Sequence, residues 1–214
     1  MSVAVVIPCY NEEITIASVI KDYLDYFNQD EIYIIDNNSS DKSIEIAKQF
    51  NINILNETTQ GKGAVIKNAF NTINTDYILL TDCDSTYSAE DSYILYRYIQ
   101  DKELDMVIGN RLNSGYFNSK QKLNGFGNRL FSKIASKKKK TYVADLLSGS
   151  RVLSKSFYKN VNILHNGFEI ETELTLKANT IDFLDISYKS RPDDSKSNLH
   201  ILKDGIRILL TLLR

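Results

Sequence analysis

The stretch YILLTDCDSTYSAED, residues 77–91, joins an apolar run to an acidic turn. The apolar half is typical of a buried strand, and it ends in two aspartates one residue apart, Asp82 and Asp84. A helix is predicted to begin near Ser88. A buried strand that passes through a polar turn into a helix is the repeating unit of an α/β protein, so this stretch predicts that class of fold.

The first half of the chain repeats this alternation. Runs that predict buried, parallel strands are VAVVIP (3–8), EIYIID (31–36), NINIL (51–55), DYILLTD (76–82) and MVIG (106–109). Amphipathic helices are predicted between them, the first with Asn11 as N-cap, another after Ser40 and a third around Ile66. The pattern predicts a single α/β domain with a mostly parallel central sheet and helices on both faces.

Composition limits the class of protein. With 214 residues, 43% hydrophobic and 25% charged, the chain can bury one substantial core. Its formal net charge of -1 argues against a surface built for nucleic acid. Cys9 and Cys83 lie far apart, and no amino-terminal signal precedes the first strand, which predicts a reducing, cytoplasmic compartment. Both thiols are expected to act as small core hydrophobes.

Polar clusters follow four of the predicted strands. They read PCYNEE, DNNSSD, TDCDS and GNRL. Ligands of open α/β sheets bind outside the carboxyl ends of the strands, so this edge of the sheet is the predicted site. The turn at Asp36 brings an acid and two amides, Asn37 and Asn38, to the same edge, where they can read a base or a ribose by hydrogen bonds.

The pair Asp82 and Asp84 needs a counter-charge. Two carboxylates this close repel unless a cation joins them or one takes a proton. Oxygen ligands suit Mg²⁺ or Mn²⁺, which takes much of its shell from water and from a substrate's phosphates. The pair is therefore a candidate metal site that holds a diphosphate. The alternative is a solvated acidic turn that caps the helix near Ser88.

An ordered set of motifs resembles a known family. VVIPCYNEE, IIDNNSSD, GKGAVIKNAF, LLTDCDSTYSAED and VIGNRL, in this order and spacing, are similar to family 2 glycosyltransferases of the GT-A fold. The resemblance implies a nucleotide-sugar donor and a divalent metal on Asp82 and Asp84. The substrate-binding residues that it implies are Pro8, Tyr10, Glu12, Asp36, Lys62, Asp82 and Cys83. Asp36 would contact the base. The turn that follows it departs from the family's usual pattern at its second position, where this sequence has Asn37 and Asn38.

The second half resembles the polyprenyl-phosphate branch of that family, which includes dolichyl-phosphate mannose synthases and bacterial undecaprenyl-phosphate sugar transferases. The motifs are FGNRLFSKI, DLLSGSRVLSKSF, NGFEIETELTLKA and YKSRPDDSKSNLHILKDGIRIL. This implies a polyprenyl phosphate acceptor gripped by Arg111, Arg129 and Arg191, although each arginine alone is more typical of a surface residue.

The remaining acids of this half are assigned supporting roles. Asp145, Glu169 and Glu171 are predicted to orient metal, sugar hydroxyls or arginines. Glu173, one turn beyond Glu169, is predicted to lie on a solvated helix face. Ser150 stands where the branch usually has an aromatic residue, which leaves the shape of the sugar pocket open.

Two basic segments suggest a membrane surface as a partner. Residues 199–214 form an amphipathic pattern, with Leu199, Leu202, Ile206, Leu209 and Leu213 on one helical face. Residues 137–140 are four lysines, which are either a solvated loop or a contact with an anionic leaflet. The interpretation is a catalytic domain at 1–198 and a membrane-proximal helix at 199–214, peripheral on the inner face of the cell membrane. A terminal helix packed on its own domain is the alternative.

Other functions compete with this reading. DCDST also fits the signature of a haloacid dehalogenase-type phosphatase, with Asp82 as nucleophile and Asp193 and Asp194 as the second acidic pair. A surface polysaccharide or other glycan is the alternative acceptor. The sequence does not determine the sugar or the base, and it leaves open whether the protein forms a homo-oligomer. It also leaves open a non-enzymatic protein that binds nucleotide without turning it over.

Overall fold

The computed structural model describes residues 1–113, 119–192, 194 and 201–214. The strands are β1 (Val3–Cys9), β2 (Ile32–Asp36), β3 (Asn53–Asn56), β4 (Tyr77–Leu80), β5 (Met106–Asn110), β6 (Arg151–Ser154) and β7 (Ile181–Asp185). The helices are α1 (Ile16–Leu24), α2 (Ser43–Ala47), α3 (Lys62–Thr72), α4 (Ala89–Gln100), α5 (Ser119–Lys139), α6 (Lys155–Tyr158), α7 (Ile170–Lys177) and α8 (Ile201–Leu213). Short 3₁₀ turns lie at Gln29–Glu31 and Lys48–Phe50.

The strands form one sheet in the order β3-β2-β1-β4-β6-β5-β7. Neighbouring strands are parallel except at β6, which runs antiparallel to both β4 and β5. The mostly parallel sheet is thus confirmed, and the other six strands all point their carboxyl ends toward the same edge. All five predicted strands are present; β6 and β7 had no prediction.

Both faces of the sheet are covered. Alternate residues of β1 enter different cores, with Val5 and Ile7 on one side and Ala4 and Val6 on the other. The first side packs under α1 and α4, and the second under α3 and α7. Burial on both faces explains why these strands appear in the sequence as continuous apolar runs.

The start of the first helix differs from the prediction. Helix α1 begins at Ile16 with Thr15 as its N-cap, whereas Asn11 has a left-handed backbone with φ 56°. The Asn11 side chain instead accepts a hydrogen bond from the Ser40 N–H at 2.7 Å, which ties together the turns after β1 and β2. Helix α4 begins as predicted, because the Ser88 hydroxyl accepts from the N–H of Asp91.

Helix α8 packs on its own domain and also exposes apolar residues. Ile208 and Leu212 are buried in a small third core with residues of α5. The exposed apolar side chains of α8 are Ile206, Leu209, Leu210 and Leu213. Leu199 and the side chain of Leu202 lie outside the described residues. In the described part of the chain, no helix combines the length and the hydropathy needed to cross a bilayer.

The lysine run is part of α5 and not a loop of its own. Residues 137–139 form the last turn of α5. Lys138 donates to the Leu212 carbonyl at the end of α8 at 2.9 Å, and Lys139 donates to the Ala178 carbonyl after α7. Two of the four lysines therefore cap helix carbonyl groups, which is what a cation at a helix end is expected to do.

Candidate active site

A lysine joins two acids at the carboxyl edge of the sheet. Lys62, the first residue of α3, places its Nζ 2.5 Å from Asp82 Oδ1 and 2.7 Å from Glu171 Oε1. Burial alone would raise the pKa of Asp82, but the Lys62 ammonium outweighs it and holds that pKa below its ordinary value. The same two carboxylates raise the pKa of Lys62 against the opposing effect of burial. Asp82 and Lys62 are therefore both charged near neutral pH.

The second aspartate has a different cation. Arg191 Nη2 lies 3.0 Å from Asp84 Oδ2 and 3.1 Å from Glu12 Oε1. The other oxygen of Asp84 accepts from the N–H and hydroxyl of Thr86, which fixes the turn after β4. Burial raises the pKa of Glu12, with Arg191 acting in the opposite direction. Arg191 thus bridges the predicted nucleotide pocket and the predicted metal pair.

Arg111 and Asp145 form a third ion pair beside these two. The Arg111 Nε and Nη2 groups donate to the two oxygens of Asp145 at 2.8 and 2.9 Å. Asp145 is fully buried and also accepts from the side-chain amide of Asn128. The Arg111 guanidinium lies over the Tyr188 ring at 5.2 Å and the Tyr87 ring at 5.9 Å. An aromatic and bidentate setting of this kind suits arginine and would not suit lysine.

The predicted nucleotide residues lie at the ends of β1 and β2. Pro8 is half-buried within β1, opposite Ile35 of β2, and Tyr10 is 37% exposed just beyond the strand. Asp36 is half-buried, and its Oδ1 accepts from the Ser39 N–H at 3.1 Å. The three residues lie near the same edge of the sheet as Glu12.

Two predicted site residues do not reach the carboxylate cluster with their side chains. The Cys83 thiol is buried in the core with Cys9, as expected for a small hydrophobe, so its predicted substrate contact is left to its backbone. Its carbonyl already accepts from the Thr15 hydroxyl at 2.6 Å. Arg129 is exposed on α5 and donates to the Leu112 carbonyl at 3.1 Å, next to Arg111 in the chain.

Helix α7 brings three glutamates to the site, and one prediction for them was wrong. Glu171 binds Lys62, and Glu169 is buried with no partner for its Oε2 among the described atoms. Glu173 is not solvated: it is 2% exposed and accepts from the N–H groups of Leu164 and His165. Its carboxylate gives those two backbone N–H groups a hydrogen-bond partner within the protein.

Arg151 and Gly149 support the site and had no prediction from the sequence. Arg151 is 1% exposed in β6, and it donates to the carbonyls of Ser148, Leu146 and Glu171. A Cβ at Gly149 would come within 2.4 Å of Asp82 Oδ2, so only glycine leaves room for that carboxylate. The motif SGSR contained both residues, but a charged residue in a short strand gives no apolar signal.

The acids fit a cation that takes most of its ligands from elsewhere. Among the described residues, no three His, Cys, Asp or Glu side chains lie close enough to hold a metal. Asp82 and Asp84 are nevertheless partly open, with side chains 29% and 14% exposed. Mg²⁺ and Mn²⁺ sites of nucleotide enzymes commonly use one or two carboxylates plus substrate phosphates, and this pair meets that description.

Comparison with known proteins now defines the class. The model of the family described as glycosyl transferase family 2 matches residues 4–161, and the chain belongs to that family. The predicted family is confirmed, and with it the prediction that the chain is a glycosyltransferase. The phosphatase alternative loses its support, since the match includes Asp82; Asp193 lies outside the described residues.

Similar sequences are known from an archaeon. Glycosyltransferase AglJ of Haloferax volcanii is 30% identical over 220 residues, covering 100% of this chain and 71% of that protein. A dolichyl-phosphate hexose transferase of the same organism is 28% identical over 198 residues, covering 90% of this chain and 85% of the relative. The second name belongs to the polyprenyl-phosphate branch that the sequence resembles.

Solved structures share the fold. Glucosyl-3-phosphoglycerate synthase from Mycobacterium tuberculosis in complex with UDP superposes with a TM-score of 0.75 at 18% identity, covering 99% of this chain and 79% of that one. The same enzyme with Mn²⁺, UDP and glucosyl-3-phosphoglycerate gives a TM-score of 0.72 at 19% identity, covering 99% and 78%. The GT-A fold predicted from the sequence is thereby confirmed.

Proposed function

We propose that the chain transfers one hexose from a UDP- or GDP-sugar to a polyprenyl phosphate at a membrane surface, with Mg²⁺ or Mn²⁺ bound at Asp82 and Asp84. The observation that carries the proposal is the acidic pair at the carboxyl edge of the sheet in a family 2 chain. The likeness to a dolichyl-phosphate hexose transferase over 90% of the chain supports the acceptor.

The donor is assigned to the ends of β1, β2 and β4. Pro8, Tyr10 and Asp36 would line the nucleoside, with the Asp36 carboxylate accepting a hydrogen bond from the base. Lys62 and Arg191 already contact the two aspartates, so both cations lie where a diphosphate bound there would need counter-charge. The neighbouring structures with UDP and Mn²⁺ support a metal in this class of site.

When bound, the metal would neutralise the diphosphate as it leaves. The chain's own residues position the reacting groups and balance their charge. Asp82 and Asp84 would hold the metal, while Lys62 keeps Asp82 ionised. Glu169 and Glu171, at the start of α7, would orient sugar hydroxyls, and Glu171 already contacts Lys62. Such positioning lowers the barrier without a covalent intermediate.

The acceptor is assigned to the side of the site that carries Arg111 and Arg129. Arg129 is exposed, and Arg111 is held by Asp145, so a phosphate would meet one exposed guanidinium and one fixed by an ion pair. An acceptor phosphate is ionised at neutral pH and needs no strong general base. Its oxygen would attack the anomeric carbon as the bond from that carbon to the diphosphate breaks, which inverts the configuration.

A membrane-facing surface is assigned to α5 and α8, which pack together. Their exposed apolar side chains are Phe126, Leu130, Ile206, Leu209, Leu210 and Leu213. Phe126 and Leu130 flank Arg129 on α5, so a lipid tail could leave the phosphate along this surface. Exposed lysines at the end of α5 would add attraction to an anionic leaflet. This supports a peripheral position on the inner face of the membrane.

The test is transfer from a panel of UDP- and GDP-sugars to a short polyprenyl phosphate, with Mg²⁺ or Mn²⁺. We expect a metal-dependent sugar phospholipid that Asp84→Asn abolishes. Glu90→Gln is the matched control, because Glu90 is an exposed acid of the same segment. Binding of nucleotide sugar without a lipid product would overturn the acceptor and favour a glycan acceptor instead.

A further inference from the structure

We propose that Glu173 is a positioning residue of the donor site, which holds the segment 164–166 against the start of α3 and thereby aims Lys62 at Asp82. The inference rests on the proposed function insofar as Lys62 serves the donor. Glu173 itself would touch neither substrate nor metal. Its effect would pass through the backbone of two neighbouring segments.

Glu173 holds the segment 164–166 through hydrogen bonds to its backbone. Glu173 Oε1 accepts from the Leu164 N–H at 2.8 Å, and Oε2 accepts from the His165 N–H at 3.0 Å. The same carboxylate contacts His165 Nδ1 at 2.8 Å and Lys177 Nζ at 2.6 Å. These hydrogen bonds, led by Lys177, outweigh burial and lower the pKa of Glu173 to about 2. The carboxylate is therefore ionised at every physiological pH.

Hydrogen bonds of Asn166 join that segment to α3. The Asn166 carbonyl accepts from the N–H groups of Gly63 at 2.8 Å and Ala64 at 3.3 Å, at the beginning of the helix. The Asn166 side chain accepts from Lys67 Nζ at 2.7 Å, one turn further along α3. The first N–H groups of a helix have no partner inside the helix, and here the Asn166 carbonyl is the partner of the Gly63 N–H.

The backbone around the start of α3 lies very close to the backbone of residues 165–166. A Cβ at Gly61 would lie 2.2 Å from the Asn166 carbonyl oxygen, and a Cβ at Gly63 would lie 2.4 Å from that of His165. Gly61 also has φ 128°, which L side chains rarely adopt. Lys62 stands between these two glycines. Its backbone position is therefore set by contact with the segment that Glu173 holds.

Helix α7 thus acts on Lys62 at both ends. Glu171 binds the Lys62 ammonium directly, and Glu173, two residues later, fixes its backbone through residues 164–166. A displacement of that segment would move the ammonium away from Asp82 Oδ1. Small misplacements of a charged group in such a site have large effects on binding and rate.

The test compares two carboxylates that each bind a pair of backbone N–H groups. Glu173→Gln weakens the hydrogen bonds to the segment 164–166. Asp105→Asn alters a similar contact at the opposite edge of the sheet, where Asp105, just before β5, accepts from the N–H groups of Asn179 and Thr180. The readouts are UDP and GDP affinity by calorimetry with Mn²⁺, hydrogen exchange at Gly63 and Ala64, and the melting temperature.

We expect Glu173→Gln to weaken binding of the preferred nucleotide about tenfold and to speed hydrogen exchange at the amides of Gly63 and Ala64. Asp105→Asn should change neither. In a Lys62→Met background, Glu173→Gln should have no further effect on affinity, because the coupled group is gone. Lys67→Met, which removes a contact on the other side of Asn166 without touching the core, should have a smaller effect in the same direction.

The outcomes separate this inference from the proposed function. Wild-type protein that binds neither UDP nor GDP would overturn the donor assignment, and exchange at Gly63 and Ala64 would still test the link from Glu173 to α3. Normal affinity and normal exchange in Glu173→Gln would overturn the positioning role. A loss of affinity that is equal in the wild-type and the Lys62→Met backgrounds would also overturn it, since Glu173 would then affect nucleotide binding by a route that does not include Lys62.

Discussion

The two aspartates of the site have cations of different origin. Asp82 is paired with Lys62, the first residue of a helix whose backbone is packed against residues 165–166. Asp84 is paired with Arg191, which lies beyond β7 in a segment whose described residues form no helix or strand. The Lys62 side chain is 11% exposed and that of Arg191 is 22% exposed.

The two cations differ in the kind of group that holds them. Lys62 is held at its backbone by packing against residues 165–166, and its ammonium is held by Glu171 as well as by Asp82. The Arg191 guanidinium is held by Asp84 and Glu12, which are groups that an arriving metal and diphosphate would engage. We infer that Lys62 keeps one half of the site preformed, while Arg191 marks the half that rearranges.

The largest effect is expected for Lys62→Met. The change leaves Asp82 and the buried Glu171 without their cation, which typically costs about 3 kcal/mol of unfolding free energy when a buried ion pair loses one partner. We expect loss of sugar transfer and a clear drop in urea resistance. The exposed Lys21→Met is the control and should change neither. Retained stability would show that the pair is solvated.

Acid titration extends the comparison to the support behind Lys62. The folded pKa of Glu173 is lowered to about 2 from an ordinary 4.5, so its contribution to stability is complete above about pH 4.5 and disappears as the pH falls toward 2. The shift corresponds to on the order of 3 kcal/mol. The free energy of unfolding, measured with urea, should fall less between pH 7 and pH 3 in Glu173→Gln than in wild type. Equal losses would contradict the shift.

Sequence patterns predicted the half of the site that contains Lys62 and Asp82 best. The strands β1, β2 and β4 are continuous apolar runs, and their polar ends meet because parallel strands share an edge. Asp82 and Asp84 were predicted as a metal pair from their place at the end of a strand, their spacing and the family resemblance. Their pairing with separate cations was not, because Lys62 and Arg191 lie far away along the chain.

The second half was harder to predict for physical reasons. Glu173 lies one turn beyond Glu169, a spacing that is typical of a solvated helix face, but its partners are N–H groups of residues 164–165 that no helical pattern reveals. Arg151 makes β6 look polar, although its guanidinium is satisfied entirely by groups inside the protein. Buried charges with non-local partners give no periodic signal.

Arg191→Met tests the half that rearranges. Because Arg191 is partly exposed, we expect a stability loss of only about 1 kcal/mol. Sugar transfer should fall, while Mn²⁺ affinity measured by calorimetry without nucleotide should rise several-fold, since Asp84 and Glu12 lose a competing cation. Arg97→Met, on α4, is a matched control that should leave both values unchanged. Weaker Mn²⁺ binding would show that Arg191 supports the metal and does not compete with it.

The mildest change concerns a surface that neither aspartate touches. Ile206 is 61% exposed on α8, and Ile94 is 48% exposed on α4, so Ile206→Ser and Ile94→Ser remove similar apolar area at different places. We expect only Ile206→Ser to weaken sedimentation with anionic vesicles, by a few-fold, because burial of apolar surface drives such binding. Both variants should keep wild-type stability and wild-type transfer to a short, water-soluble acceptor. Equal vesicle binding by the two variants would remove α8 from the membrane-facing surface and leave the site chemistry intact.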